Sequence, residues 1–247
     1  MTLARRVIPI IDVTAEAAPA LPYTRGGLDV PFLEAVARYH ANDGADELWL
    51  RLVHPDARGA AALFEPLNAL RERLFIPVVA WGSVGSPADA RLLVGLGAER
   101  VVVDITPHAG GEALGLVHDI AQSIGSDRVS VAMLVRRVAT KRRVRWELCS
   151  PTGEGSGHDA QSAAQTLAAA GAGELIVVPW YLPPEGPPRA AHDADLVDAL
   201  LSLLSIPLVS VGDDREAADM AAALLIGADG VASSTLFSDG GVTVAGA

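Results

Sequence analysis

The chain has 247 residues and a formal net charge of −11, and 50% of it is hydrophobic. That length exceeds a typical sandwich and suits one α/β barrel domain over residues 1–247, with enough apolar content for a large core. The acidic balance argues against nucleic acid as a general partner, and Gly, Pro or charge breaks every apolar run before the roughly 20 residues of a membrane span.

The opening Met1-Thr2-Leu3-Ala4-Arg5-Arg6 has no signal-peptide core or cleavage site, which predicts a cytoplasmic protein. Runs rich in Val, Ile and Leu then recur at Val7–Val13, Glu47–Val53, Pro77–Gly82, Arg100–Ile105, Val129–Val135, Glu174–Trp180, Pro207–Gly212 and Gly230–Thr235. Stretches of helical periodicity and Gly-rich turns separate them. Continuous apolar strands alternating with amphipathic helices predict a parallel sheet buried on both faces. Eight such units close into a (β/α)8 TIM barrel more readily than they form an open sheet.

Two connections stand out. Residues 136–157 follow the fifth run, with Val144–Cys149 suited to one hairpin arm and Gly153–Gly157 to its return. The basic run Lys141-Arg142-Arg143-Val144-Arg145 reads there as a solvated loop, and Cys149, the single cysteine, as an inert thiol in a reducing compartment. Pro183-Pro184-Glu185-Gly186-Pro187-Pro188 cannot be helical and predicts a stiff extended loop over the barrel mouth.

The chain also repeats itself. Ile76-Pro77-Val78-Val79-Ala80-Trp81-Gly82 matches Ile206-Pro207-Leu208-Val209-Ser210-Val211-Gly212, and the same register pairs Gly97-Ala98 with Gly227-Ala228. Gly44-Ala45-Asp46-Glu47-Leu48 likewise matches Gly171-Ala172-Gly173-Glu174-Leu175. Gap-free matches with glycine at the helix ends indicate two half-barrels of four units each. After the last strand, Leu236–Ala247 is too short and Gly-rich for a full helix, so the final helix is expected to be truncated or missing. The seam this leaves predicts exposed apolar surface for a partner, a second copy or a long loop to cover, with self-association, a homo-oligomer, favoured.

In such a barrel chemistry belongs at the carboxyl ends of the strands. Arg6-Val7-Ile8-Pro9-Ile10-Ile11-Asp12-Val13, the two Gly-Ala repeats, Phe75-Ile76-Pro77 and Arg145-Trp146-Glu147 together resemble the cyclase subunit of imidazole glycerol phosphate synthase, one of the histidine-biosynthesis barrels. The resemblance runs from about Leu3 to Phe237. It implies a lyase without a cofactor or metal, with an aspartate at the end of the first strand and another at the end of the fifth acting as general acid and base. Asp12 matches the first; Leu134 stands where the second belongs, and leucine has no proton to give.

The resemblance also implies a phosphorylated small molecule held by Gly-rich turns. The matching positions are Gly82 and Ser83 after the third strand, Asp104 after the fourth, Gly212 and Asp213 after the seventh, and Ser233 and Ser234 after the eighth. Aspartates oppose a phosphate there; Asp213 and Asp214 read equally as caps of the seventh helix. Trp81, Trp180 and Tyr181 read as lining for a pocket that takes a flat ligand, or as filling for a vacated mouth. Asp12, Asp104, Asp213 and His54 are a further set able to converge on a cation or amine. At the other end Arg6, Glu47, Arg100 and Glu174 match the family's charged floor cluster, which gates ammonia from a bound glutaminase subunit. Three functions follow: a cyclase diverged from or impaired in that reaction, a binder or enzyme for another small molecule, and a non-catalytic barrel kept for association with itself, a glutaminase or a cyclase.

Overall fold

A computed structural model describes residues 5–14, 30–53, 59–106, 111–139, 144–180, 191–237 and 243–246. The first half holds β1 (Arg6–Thr14), α1 (Val30–Asn42), β2 (Leu48–Val53), α2 (Phe64–Leu70), β3 (Val78–Trp81), α3 (Pro87–Gly95), β4 (Arg100–Asp104) and α4 (Gly111–Ile124). The second opens with β5 (Val129–Ala139), β6 (Val144–Cys149), β7 (Gly155–Asp159) and α5 (Ala160–Ala170). It continues through β8 (Glu174–Pro179), α6 (Ala194–Leu201), β9 (Leu208–Gly212), α7 (Ala217–Ile226) and β10 (Gly230–Ser233).

The strands run β4-β3-β2-β1-β10-β9-β8-β5, and a β4–β5 pairing closes the ring. Every pairing around it is parallel. This is the (β/α)8 barrel expected from the alternating runs. The middles of its strands are apolar because both faces are buried there, and the charged residues stand toward the strand ends. Ile8, Ile10, Trp49, Val79, Val102, Ala132, Ile176, Val209 and Ala232 pack inside the ring. Their alternates, such as Ile11, Leu48, Leu50, Val101 and Val131, pack in the larger core that includes the helices.

Local chemistry sets the helix ends. Ser86 caps α3 by accepting from Asp89 N–H, with Pro87 in the first turn; Asp159 caps α5 by accepting from Ser162 N–H. Gly97, Gly171 and Gly227 end α3, α5 and α7 with φ of 109°, 117° and 125°, a region that favours glycine. The repeated glycines of the two halves therefore do the same local work.

β6 and β7 extend antiparallel from β5 as an arm outside the ring. β6 coincides with the expected arm, but the return strand starts at Gly155 rather than Gly153. Gly153 lies in the tight turn instead, donating from its N–H to Ser150 O at 2.8 Å with φ of 83°.

After β10 the described residues hold one 3-10 turn, Val244–Gly246, and no further α-helix. The seam that was expected to expose apolar surface is filled in part by the chain itself. Leu236, Phe237 and Val244 are buried against Ala45, Met220 and Ala223, and Asp43 accepts from Val244 N–H. The chain's own tail thus supplies part of the cover, as the loop alternative expects.

Candidate functional site

Side-chain alternation places Asp12, Arg51, Trp81, Asp104 and Leu134 on the inward-facing positions one step above the interior layer, at the mouth. Asp12 pairs in register with Arg51, and Arg51 with Trp81. Three neighbouring strands thus set a carboxylate, a guanidinium and an indole side by side. Arg51 Nε donates to Asp12 Oδ1 at 2.6 Å and Nη2 to Asp12 Oδ2 at 2.8 Å. The same Nη2 donates to Ser234 Oγ at 3.1 Å, and the guanidinium lies 5.5 Å from the Trp81 ring centre. Both oxygens that a general base needs are therefore engaged by N–H donors.

Leu134 is partly buried and pairs in register with Val178, so an apolar pair occupies the second acid's position. Asp104 is occupied locally, accepting from Thr106 N–H at 2.8 Å. Gly82 and Ser83 form a turn with φ of 146° and 47°. A side chain at 82 would meet Leu52 Cβ at 2.5 Å, so this close approach needs glycine. Ser233 Oγ donates to Gly212 O at 3.4 Å and accepts from Leu236 N–H, while Ser234 serves Arg51. The Ser233 and Ser234 hydroxyls considered for phosphate are thus bonded within the fold.

The capping role considered for Asp213 and Asp214 is not what the structure shows. Glu216 is the N-cap of α7, without a side-chain bond, and Asp219 accepts from Arg215 N–H at 3.0 Å. Asp213 is exposed, whereas Asp214 is buried and turned toward His192. Trp81 and Trp180 serve separate neighbours. Trp81 packs edge-to-face on Trp49, 5.6 Å between ring centres; Trp180 covers Gly153 and donates from Nε1 to Pro151 O at 3.1 Å. His54, Tyr181, the 183–188 loop and Lys141-Arg142-Arg143 lie outside the described residues. Among the described residues no three His, Cys, Asp or Glu side chains gather as metal ligands. None of their helices is long and apolar enough to cross a membrane.

Arg6, Glu47, Arg100 and Glu174 meet at the floor. Arg6 Nη1 lies 3.3 Å from both Glu47 oxygens and its Nη2 donates to Glu174; Arg100 donates to Glu47 and lies 3.7 Å from Glu174. Ser130 Oγ donates to Glu174 Oε1 at 2.9 Å and Trp49 Nε1 to Glu47 Oε1 at 2.8 Å. Two positive and two negative groups pair into an ion plug, in which only the buried Arg100 Nε lacks a hydrogen-bond partner among the described residues.

A family model described as "Histidine biosynthesis protein" matches residues 6–243. The chain belongs to the histidine biosynthesis protein family. The imidazole glycerol phosphate synthase subunit HisF of Beutenbergia cavernae is 30% identical over 253 aligned positions, which cover 99% of this chain and 94% of that protein.

Two features of this histidine-biosynthesis barrel escape a reading of the sequence. The first is Arg51. Its only signal is a cation in the apolar run Leu48–Val53, which needs a partner. The second is a chain joining Ser210, His192 and Asp214, all buried. His192 Nδ1 lies 2.8 Å from Ser210 Oγ and Nε2 lies 2.9 Å from Asp214 Oδ1. A carboxylate only accepts, so Nε2 carries a proton, and in the neutral ring Nδ1 accepts from the hydroxyl. The residue types suggest a catalytic triad, but burial withholds Ser210 from any substrate. The chain ties the segment before α6 to β9 and the turn after it. Gly212 makes room for it, since a side chain there would meet His192 Nε2 at 2.6 Å.

Proposed function

We propose that this barrel is a cyclase-lineage member that has left the reaction producing imidazole glycerol phosphate and now holds a different small molecule. The observation that carries the reading is the pairing of Asp12 with Arg51 in a mouth whose second acid position is Leu134. Acid–base ring chemistry needs a proton donor on one face and an acceptor on the other, and each positioned group contributes on the order of 10²–10⁴ in rate. Here the donor is replaced by an alkyl group and the acceptor's oxygens are occupied. Further support comes from the axis. Trp49 and Trp81 stack between the floor plug and Arg51, filling the path by which the family's ammonia would travel. The test is formation of imidazole glycerol phosphate from the family's ribonucleotide substrate with ammonium salts. No product above the uncatalysed level supports the reading; steady turnover refutes it.

A second reading concerns a partner at the floor. The relative's name calls it a subunit, and the floor plug has the residues of the family's glutaminase-facing cluster. Phe75, just before β3, and Leu225, at the end of α7, are 102% and 77% exposed at this end of the barrel. Exposed apolar groups at the same end as an ion cluster suit a protein interface. Light scattering of the chain mixed with a family glutaminase tests it: a stoichiometric complex is expected, and two separate peaks contradict the docking.

A further inference from the structure

A cleft of about 680 Å³ opens between α4, α5 and the β6–β7 arm and reaches the ends of β4 and β5 at Ile105, Thr106 and Leu134. Its size lies within the usual range of small-molecule sites. Its walls are firm. Arg137 and Trp146 of the arm both bond to Asp193, the cap of α6, and Arg136 Nε donates to Glu147 at 2.6 Å. The inner surface is apolar, with Leu114, Leu134 and Leu148 partly exposed to it. The residue that removes the family's second acid is thus part of an oily wall.

The rim is rich in acceptors. Thr166 Oγ1 gives its proton to Ser162 O at 2.7 Å and so keeps its lone pairs for a ligand; Ser156 Oγ gives its own to Leu148 O at 2.9 Å and accepts from His158 N–H at 3.2 Å, with one lone pair left. Glu154 and Asp159 add carboxylates, and the described lining contains no Lys or Arg. An apolar body fits the wall and a hydrogen-bond donor with positive charge fits the rim; a phosphate or carboxylate meets repulsion.

We propose that this cleft binds a small apolar amine, its hydrocarbon or ring against Leu114, Leu134 and Leu148 and its ammonium toward Glu154. The inference rests on the reading that position 134 no longer serves the family's reaction. Tryptamine and 3-indolepropionate, of similar shape and opposite charge, are the probes. The full chain, labelled at leucine methyls, is titrated with each and followed by NMR. Tryptamine is expected to give saturable shifts of the Leu114, Leu134 and Leu148 methyls, with 3-indolepropionate about tenfold weaker or worse. Glu154→Gln, on an exposed turn, is expected to weaken tryptamine by about fivefold, the effect of one exposed ion pair. Silence of these three methyls up to about 10 mM overturns the site. Equal or better binding of the acid, or an unchanged preference in Glu154→Gln, overturns the ligand class. Failure here leaves the ring-formation assay unaffected. Turnover in that assay refutes the loss of the family reaction without silencing the methyls.

Discussion

The guanidinium of Arg51 and the carboxylate of Asp12 face each other from paired positions on β1 and β2, edge to edge, at 2.6 and 2.8 Å. The contact is as much a functional fact as a structural one, because it occupies the one family aspartate this mouth retains. Restoring the lost acid should therefore not suffice. Leu134→Asp alone is expected to give no imidazole glycerol phosphate, and product from that single variant shows that Asp12 is free to act.

The pair also has a stability consequence. Both side chains are about four-fifths buried, at 21% and 18% exposure. Arg51→Met should cost about 2 kcal/mol, because it leaves a desolvated carboxylate without its donors. Arg51→Met with Asp12→Asn should recover part of that loss. Urea unfolding of the four proteins of this cycle measures the coupling, and strictly additive losses refute it.

The buried chain Ser210–His192–Asp214 predicts a loss of about 3 kcal/mol for His192→Ala. Removing the ring strands Asp214, whose Oδ2 already has no hydrogen-bond partner among the described residues. Ser210→Ala should cost less, about 1 kcal/mol, since it deletes one bond and no charge. Thermal unfolding of both variants checks the order.

Burial pushes the Cys149 thiol up to about 11, with nearby Arg136 opposing and Glu147 adding to the rise. Its nucleophilic thiolate is therefore scarce at neutral pH. Iodoacetamide at about pH 8 should label the folded chain on the order of a hundredfold more slowly than the chain in denaturant. Equal rates contradict this.

Burial lowers the pKa of His40, with Asp43 opposing, and its Nδ1 has no partner among the described residues. The folded ring therefore takes up its proton at lower pH than the unfolded chain, which does so below about 6.5. The unfolded state then binds more protons, so this contribution to stability is present above that pH and is lost as pH falls. His40 also meets Phe237 edge-to-face at 5.9 Å, so the seam filling shares the effect. The melting temperature should fall from about pH 7 to pH 5 in the native chain and less steeply in His40→Gln. Parallel curves contradict the assignment.

The barrel was legible because strands buried on both faces read as unbroken apolar runs, and because Gly97 and Gly227 sit at equivalent helix ends. The β6 arm was legible from Val144–Cys149. The mouth was only half legible. Leu134 announces a missing acid by its identity, whereas the engagement of Asp12 depends on Arg51, 39 residues away. Nothing links those two until strand register is known. The same holds for His192, whose partners lie 18 and 22 residues further on. The seam was half legible for a related reason. A short Gly-rich tail reads as a missing helix, but Phe237 and Val244 need no helix to cover apolar surface.

The central claim is that this mouth no longer moves the protons of the family's ring-forming step. Its most direct test is a single-turnover reaction with the chain in molar excess over the ribonucleotide, saturating ammonium, and detection of imidazole glycerol phosphate. The structure predicts a product trace indistinguishable from the protein-free blank. Complete conversion of the bound nucleotide would contradict it.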